Sequence, residues 1–371
     1  MRIGFDGRWY GQFGVGNYVL GLLRAMSKMD GGPEIFLYED PQNPLRSVEG
    51  DRIFKIPVSA KRYSIQEQFE LPTRCRADRL DVFHSPFYLA PWLAPCPVVV
   101  TIHDLIPFLF KVYSLPKQEL VKFGYRLAAR KAARVIVVSQ NTGQDLCRIL
   151  RVPEENINVI HLSIASCCFH PKQEDEEERY LFTQYGVRRP FVLTFSAENW
   201  RTKNLDGVLR ALAVSRRRSQ REFQTVVVGS PNGFREASRQ IPSTAHDNNI
   251  VLPGFVPTAD LAKLYRCAEV FLVGSIYEGF GLPLLEAMSC GCAVISSNAG
   301  SLAEVAAGGA VLISPRDHVG MGEALARLLN DGRELSQQRA RALTRAADFS
   351  ADEEAKQTVS VYSDAARLRQ A

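Results

Sequence analysis

Short apolar runs rich in β-branched residues alternate along the chain with longer stretches in which apolar residues recur every three or four positions. The short runs are typical of buried parallel strands, and the longer stretches are typical of the amphipathic helices that connect them. This alternation predicts an α/β protein with two doubly wound parallel sheets. The predicted strands are residues 3–5, 35–38, 81–85, 97–104, 134–139 and 157–162 in the first sheet and 191–197, 223–230, 249–256, 268–275, 292–297 and 310–315 in the second.

A charged run, PKQEDEEERY at residues 171–180, separates the two sets of strands. Because so many charges cannot be buried, the run predicts a solvated connector that leads into a helix. We therefore predict domains at residues 1–169 and 170–349, followed by a helix over residues 350–371 that packs back on the first domain. Ligands of such sheets bind beyond the carboxyl ends of the strands, which predicts a binding cleft between the two domains.

Composition narrows the functional class. The formal net charge of +5 is far from the strong positive clustering of a dedicated nucleic-acid-binding protein, so we expect no nucleic-acid partner. Residues 1–10 lack the apolar core of a signal peptide, and no later stretch is an uncharged apolar run of roughly 20 residues. We therefore expect a cytoplasmic protein with reduced cysteines, since the eight cysteines do not have the spacing of a zinc site.

The segment Ser275–Ser297 carries the densest set of chemical groups. Glu278 and Glu286 are separated by seven residues, and Gly279 and Gly281 lie between them. Glycines let backbone amides approach an anion closely, and the following LPLLEAM predicts a helix whose positive N-terminal end faces the same ligand. Glu286 is then expected about two turns along this helix, where its carboxylate can accept hydrogen bonds from a ribose diol. The alternative is two glutamates on a glycine-capped helix without a ligand.

Glycines also precede the first predicted helix. The segment GQFGVGNY follows the first strand, and the backbone amides of Gly14 and Gly16 can cradle a diphosphate. A nicotinamide-binding fingerprint needs a further glycine at position 19, where Val19 stands, so a dehydrogenase is excluded.

Histidines stand at two predicted strand ends. His103 ends the longest apolar run of the first domain, and its neighbour Asp104 either orients it or binds a substrate. His84 and Ser85 hold the equivalent place in DVFHSPF, where we expect them to line a substrate pocket. A hydrogen-bonded core histidine is the alternative in both places.

In their order along the chain, these segments resemble glycosyltransferase family 4. The matching motifs are GVGNY, HDLIPF, VSQNTGQDL, WRTKNLDGVLRAL, EGFGLPLLEA, GCAVISS and SLAEV. The resemblance implies the GT-B fold, in which two Rossmann-like domains face a cleft, and retaining transfer of a sugar from a nucleotide donor to an acceptor. It also implies that His103 lies against the donor sugar and the acceptor.

The same resemblance implies the donor contacts. Glu278 is expected to face the hydroxyls of the donor sugar, and Glu286 is expected to hold the ribose. Phe255 and Val256 match the loop whose backbone meets the nucleobase. The expected contacts of the sugar and phosphates are Gly279, Phe280, Gly281 and Leu282.

A departing nucleoside diphosphate carries negative charge that a positioned group must stabilise. Many sugar transferases hold a divalent ion with an Asp-x-Asp pair, but no two aspartates in this chain are separated by one residue. We therefore expect no metal and assign the role to Arg201 and Lys203, which follow the first strand of the second domain. The amides of Gly14 and Gly16 are expected to hold the same diphosphate from across the cleft. Cations that only cap the start of a helix are the alternative.

The HDLIPF and GVGNY segments look most like those of bacterial mannosyltransferases that build surface polysaccharide. This likeness implies GDP-mannose as the first choice of donor, a UDP-sugar as the second, and a glycan or lipid-linked acceptor. The donor is a substrate, and no cofactor is expected. A nucleotide-sugar epimerase of the same fold and a non-catalytic scaffold stay open as alternatives.

A basic pattern suggests where the enzyme works. Lys122, Arg126, Arg130 and Arg134 recur every fourth residue, which predicts a basic stripe on one helix. We hypothesise that this stripe contacts an anionic membrane carrying a lipid-linked acceptor, which would make the protein peripheral at the inner membrane face. A solvated helix face is the alternative.

Overall fold

The computed structural model describes residues 1–11, 14–164, 168–172, 176–241 and 249–368. The chain forms two compact units, of which unit 1 is Met1–Ile164 with Phe349–Ala371 and unit 2 is Ala165–Asp348. Each unit contains one parallel sheet, so the prediction of an α/β protein with two parallel sheets is confirmed. No helix in the described ranges is both long and apolar enough to cross a membrane.

In the described part of unit 1, seven strands form a sheet of order β3-β2-β1-β4-β5-β6-β7. The strands are β1 (Arg2–Asp6), β2 (Glu34–Glu39), β3 (Ile53–Pro57), β4 (Val82–Ser85), β5 (Val98–Ile102), β6 (Arg134–Val137) and β7 (Ile157–Val159). The helices are α1 (Val15–Lys28), α2 (Glu67–Ala77), α3 (Ile106–Leu109), α4 (Leu115–Lys131), α5 (Gln140–Asp145) and, after unit 2, the helix Ala351–Arg367.

In the described part of unit 2, six strands form a sheet of order β10-β9-β8-β11-β12-β13. The strands are β8 (Phe191–Ser196), β9 (Gln224–Gly229), β10 (Ile250–Gly254), β11 (Val270–Val273), β12 (Ala293–Ser297) and β13 (Val311–Ile313). The helices are α6 (Glu177–Tyr185), α7 (Leu205–Arg218), α8 (Pro231–Ser238), α9 (Thr258–Cys267), α10 (Leu282–Ser289), α11 (Leu302–Ala306), α12 (His318–Asn330) and α13 (Gly332–Ala346), and the helix Ala351–Arg367 is therefore α14.

The core of unit 2 shows how the apolar pattern becomes structure. Leu205, Val208 and Leu212 lie on one face of α7 because they are three or four positions apart. They share a buried cluster with Leu325 and Leu328 of α12 and with inward-facing side chains of the sheet. These two helices thereby cover this face of the sheet. The polar residues predicted to bind a ligand follow the carboxyl ends of its strands.

One strand was not predicted, and one expectation about a helix is wrong. Strand β3 at Ile53–Pro57 was not predicted, because it pairs only with β2 at the sheet edge and its mostly exposed residues need no apolar run. Arg134 does not continue the basic stripe, because α4 ends at Lys131 and Arg134 begins β6. Its guanidinium donates to the carbonyl of Ala133 at 2.9 Å.

Helix α14 is fixed to unit 1 by buried polar contacts. The hydroxyl of Tyr362 lies 2.6 Å from Nδ1 of His84, a fully buried residue of β4. Glu354 is also buried, and its Oε2 accepts hydrogen bonds from the backbone N–H and the hydroxyl of Ser163 at 2.9 and 2.5 Å. No cation faces this carboxyl among its described partners, so burial raises the pKa of Glu354 from 4.5 to about 7.

The substitution Glu354→Gln is expected to stabilise the protein more at pH 8 than at pH 5. Because its pKa is raised in the folded state, the carboxyl of Glu354 contributes most to the free energy of unfolding below about pH 4.5. This contribution is lost as the pH rises through about 7. The amide can accept the same two hydrogen bonds without ionising, so the gain at pH 8 over pH 5 should be on the order of 1 kcal/mol. Denaturant unfolding of the variant and the original protein at pH 5 and pH 8 measures this difference in free energy of unfolding. A difference of the same size at both pH values would contradict the prediction.

Candidate active site

The turn between β8 and α7 positions Lys203 at the carboxyl end of the sheet of unit 2. The next residue, Asn204, has a left-handed backbone with φ of 51°. Its Nδ2 donates to the carbonyls of Gly274 at 3.0 Å and Pro315 at 2.8 Å, which follow β11 and β13. Asparagine tolerates this conformation better than most residues, so the turn is held against two neighbouring strand ends.

Lys203 and Glu278 meet at this edge. Nζ of Lys203 donates to Oε1 of Glu278 at 2.6 Å, and the hydroxyl of Ser275 donates to the same oxygen at 2.6 Å. The side chains of Lys203 and Glu278 are 33% and 14% exposed, so a ligand can reach the lysine. The two residues line one pocket together with Thr194, Phe195, Phe271, Leu272, Val273, Gly274, Ser275, Gly281, Pro283, Leu284 and Leu302.

The backbone around Glu278 is held in place by Ser301, whose hydroxyl lies 2.9 Å from the carbonyl of Glu278 and 2.8 Å from that of Phe280. Phe280 is buried, and Gly281 caps α10 with φ of 102°, a conformation that favours glycine. Leu282 is the first residue of α10, so the N-terminal end of this eight-residue helix lies beside the pocket.

Glu286 lies closer to the start of α10 than expected. It is the fifth residue of the helix, about one turn from Leu282, because the helix begins only after Gly281. The expectation of about two turns is therefore wrong. Oε2 accepts a hydrogen bond from the hydroxyl of Tyr265 at 3.2 Å. Burial raises the pKa of Glu286 to about 7, against the lowering effect of the Tyr265 hydrogen bond.

The remaining predicted donor contacts of unit 2 are Arg201, Phe255, Val256 and Gly279. Arg201 is exposed, and its guanidinium lies over the ring of Trp200, 4.6 Å from the ring centre. Phe255 directly follows β10 and is 71% exposed, and Val256 is half-buried. Gly279 is buried next to Glu278.

Two of the predicted groups lie at the start of α1 in unit 1. Gly14 caps α1 with φ of 79°. Gly16 has no room for a side chain, because a Cβ there would stand 2.1 Å from the carbonyl oxygen of Tyr10. The two glycines are therefore required by backbone conformation and by packing, respectively.

His103 directly follows β5 and is half-buried. Its Nε2 lies 2.9 Å from the carbonyl oxygen of Pro86, which can only accept, so Nε2 carries the hydrogen. Burial lowers the pKa of His103 to about 4, so the imidazole is neutral at pH 7 and Nδ1 is an acceptor. Oδ1 of the neighbouring Asp104 accepts a hydrogen bond from the N–H of Ile106, at the start of α3, at 2.8 Å.

His84 and Ser85 do not line a pocket, contrary to expectation. Both are fully buried in β4. Nε2 of His84 lies 2.8 Å from the hydroxyl of Thr101, which is 2.9 Å from the hydroxyl of Tyr18. Burial lowers the pKa of His84 to about 3, so this histidine is a neutral member of an internal hydrogen-bond network.

No group of three or more histidine, cysteine, aspartate or glutamate side chains in the described parts of the chain could hold a metal ion. Metal independence stays a prediction. A lysine, a glutamate and the glycine-capped start of α10 line one pocket, and Glu286 is buried about one turn further along this helix.

Two family models match the chain in sequence. Residues 14–165 match glycosyltransferase family 4, and residues 182–346 match glycosyl transferases group 1. The chain belongs to glycosyltransferase family 4. The resemblance seen in the motifs is thereby confirmed.

Two relatives of this glycosyltransferase are mannosyltransferases of Escherichia coli. The serotype-specific mannosyltransferase WbdA is 28% identical over 265 residues, which are 70% of this chain and 32% of WbdA. The O-antigen chain mannosyltransferase B is 28% identical over 285 residues, which are 76% of this chain and 74% of that protein. The glycosyltransferase thus spans about a third of the length of WbdA.

The crystal structure of Anabaena Alr3699/HepE in complex with UDP and glucose superposes on the glycosyltransferase with a TM-score of 0.75 at 18% identity. The match covers 98% of this chain and 100% of that chain. The two proteins therefore share the GT-B fold, as the motifs implied.

Sequence reasoning missed four side chains that hold the site of this glycosyltransferase in place, which are Asn204, Tyr265, Ser275 and Ser301. The sequence indicated a role for Ser275, because it is a polar residue that closely follows the apolar run of β11. No local pattern indicated a role for Tyr265, since it lies 21 residues before Glu286 on another helix.

Proposed function

We propose that this glycosyltransferase moves a hexose, with mannose as the first choice, from a nucleotide-sugar donor to a glycan or lipid-linked acceptor in surface polysaccharide biosynthesis. Transfer retains the configuration of the anomeric carbon and needs no metal ion. The observation that carries the proposal is the contact of Lys203 with Glu278 at 2.6 Å in one pocket beside the start of α10. A cation, a carboxylate and a helix N-terminus at one strand edge suit a sugar diphosphate.

Each group has a part in this mechanism. When the donor binds, Lys203 turns from Glu278 to the diphosphate, whose negative charge grows as the bond to the sugar breaks. The N-terminal end of α10 stabilises the same charge. Glu278 then accepts hydrogen bonds from sugar hydroxyls, and Glu286 accepts those of the ribose. The acceptor attacks the same face of the sugar, and its proton passes to the departing phosphate.

The choice of donor is supported by the relatives. WbdA and mannosyltransferase B are named for transfer of mannose, so GDP-mannose comes first. Alr3699/HepE was solved with UDP-glucose, so a UDP-sugar comes second. The exposed ring of Phe255 lies where the base is proposed to bind, but its apolar face does not discriminate between bases.

A thermal-shift panel tests the proposal. GDP-mannose, GDP-glucose, UDP-glucose and ADP-glucose are each added to the full chain with and without EDTA. We expect a rise in Tm for GDP-mannose that EDTA leaves unchanged, because no ion is needed for binding. A Tm rise that EDTA abolishes would overturn metal independence, and no rise with any donor would overturn the proposed site. Free epimerised nucleotide sugar formed without an acceptor would identify an epimerase instead.

We further propose that α4 contacts an anionic membrane. The helix exposes Leu115, Leu120 and Phe123, and its exposed cations are Lys117, Arg126, Arg130 and Lys131. Lys122 adds little to the positive charge that α4 exposes, because its side chain is only 20% exposed and pairs with Glu119 at 3.1 Å. Exposed apolar side chains beside cations fit a headgroup layer, where each cation contributes about 1 kcal/mol.

We therefore expect the full chain to co-sediment with phosphatidylglycerol vesicles at low salt but not with phosphatidylcholine vesicles. The double substitution Leu120→Gln and Phe123→Ser should reduce the bound fraction to the level seen with phosphatidylcholine, because it removes the inserting side chains. Arg134→Gln is the matched control and should bind as the original protein does, since Arg134 lies outside α4. Absence of binding to anionic vesicles would contradict the proposal.

A further inference from the structure

A loop over residues 60–67 covers the carboxyl end of β1 in unit 1. Arg8 holds both ends of this loop, because its NH1 donates to the carbonyl of Ala60 at 2.9 Å and its NH2 contacts Glu67 at 3.3 Å. The charge of Arg8 is balanced by Glu67 and by Asp6, which accepts two hydrogen bonds from the guanidinium at 2.8 Å. Arg8 is buried, and each of its three guanidinium nitrogens already donates to Asp6, Ala60 or Glu67.

The loop presents a second arginine that is not balanced. The guanidinium of Arg62 lies over the buried ring of Trp9, with its central carbon 4.8 Å from the ring centre. Its NH1 is buried and has no hydrogen-bond partner within the described part of the chain, and no carboxylate pairs with it there. The contact with Trp9 leaves NH1 without a hydrogen-bond acceptor, which is unfavourable for a buried polar group.

The neighbour of Arg62 is also held in an unusual conformation. Tyr63 has φ of 65°, a left-handed backbone that is rare for an aromatic residue. Its ring is 58% exposed and packs edge-on against Trp9 with centres 5.9 Å apart. Conformations of this kind persist where surrounding contacts fix them. Here the contacts of Arg8 with Ala60 and Glu67 hold both ends of the loop that contains Tyr63. Arg62 and Tyr63 therefore form a rigid pair of a free cation and an exposed ring.

This pair lies on the same sheet edge as His103. Trp9 follows β1, Phe87 follows β4 and His103 follows β5, which are consecutive strands. The rings of Trp9 and Phe87 are 4.3 Å apart, and His103 bonds to Pro86, the residue before Phe87. Two strand spacings, about 10 Å, separate β1, which Trp9 follows, from β5, which His103 follows. A sugar carrying a phosphate can bridge a span of this size.

We propose that Arg62 binds a phosphate group of the acceptor, with Tyr63 against the attached sugar, so that the acceptor is a phosphorylated glycoside rather than a neutral glycan. This rests on the proposed function, because it assumes that the chain glycosylates an acceptor. A guanidinium positioned by an aromatic ring offers N–H groups in one plane, which matches a phosphate. The bound phosphate would neutralise the cation.

Calorimetric titration of the full chain tests the site. Every protein carries Lys203→Met, which removes the cation proposed to bind the donor phosphate, and the probes are mannose 1-phosphate, methyl mannoside and glucuronic acid. Mannose 1-phosphate is expected to bind at least tenfold more tightly than methyl mannoside. Arg62→Gln should weaken its binding at least tenfold and Arg62→Lys less, because lysine keeps the charge but not the planar fork. Arg76→Gln, at an exposed arginine of α2, is the charge-matched control and should have no effect.

Three results would overturn the proposal: equal affinity for mannose 1-phosphate in Arg62→Gln, equal affinity for methyl mannoside and mannose 1-phosphate, or tighter binding of glucuronic acid than of mannose 1-phosphate. Thermal unfolding of each variant shows whether it is folded, and Arg62→Lys keeps the test valid if Arg62→Gln is not. The outcome is independent of the donor panel. If mannose 1-phosphate binds but the protein transfers no sugar, the proposed function alone is wrong. If the protein transfers sugar but the binding of mannose 1-phosphate does not depend on Arg62, the phosphate site alone is wrong.

Discussion

Replacing Lys203 with methionine is expected to lower kcat/KM for sugar transfer by about 10²- to 10³-fold, which corresponds to about 2.7–4 kcal/mol of transition-state stabilisation. Methionine keeps the length and apolar stem of lysine but removes the charge. Lys203 is the cation that contacts Glu278 in the pocket, and no clustered metal ligands in the described ranges offer a substitute. The loss should fall mainly on kcat, because the charge of the diphosphate grows as the bond breaks.

Initial rates with purified proteins measure this effect over a range of donor concentrations. Lys172→Met is the matched control, since Lys172 is an exposed lysine of unit 2 outside the pocket. Glu278→Gln should cause a loss of similar size, and the double variant should lose less than the two single losses combined, because the partners are in contact. Near-normal turnover in both single variants would refute the assignment of the site.

The affinity for the donor is expected to rise as the pH increases through about 7. The pKa of Glu286 is raised to about 7 by burial, so below this pH its carboxyl is neutral. A protonated carboxyl cannot accept hydrogen bonds from both ribose hydroxyls at full strength, so affinity should fall by up to about tenfold for each pH unit below 7. Glu286→Gln should weaken donor binding about tenfold at pH 8 and remove most of the pH dependence.

Calorimetric titration of the donor between pH 6 and pH 8.5 gives the profile. Tyr265→Phe should shift the rise to higher pH, because it removes the hydrogen bond that lowers the pKa of Glu286. Glu354→Gln is the matched control, since Glu354 has a similar pKa but lies in unit 1, and this variant should keep the original profile. A profile that survives Glu286→Gln would show that another group is responsible.

The sequence was sufficient to predict the parallel strands and the groups that follow them. Buried parallel strands need continuous apolar runs, so each predicted run coincides with a strand, and polar residues directly after a run fall at the carboxyl edge. Lys203 was assigned to the diphosphate and Glu278 to the donor sugar, and the two side chains lie in contact. Strand β3 was not predicted, because a mostly exposed edge strand has no continuous apolar run.

Other features depend on information that periodicity does not hold. The spacing from Lys122 to Arg134 fits a helix throughout, but α4 ends at Lys131 without a glycine or proline to mark the point. The position of Glu286 along α10 depended on where the helix begins, which Gly281 decides by its backbone conformation. The bond of His84 to Tyr362 joins residues 278 positions apart, and no local pattern can reveal such a pair.

The return of α14 to unit 1 has a consequence for synthesis on the ribosome. Unit 1 needs Tyr362 and Glu354 to complete the hydrogen bonds of His84 and Ser163, but translation supplies these residues only after all of unit 2. Unit 2 is one uninterrupted stretch of the nascent chain, so it can finish folding while unit 1 still lacks a helix. Unit 1, whose first segment is translated first, is therefore the last unit to have its whole chain available for folding.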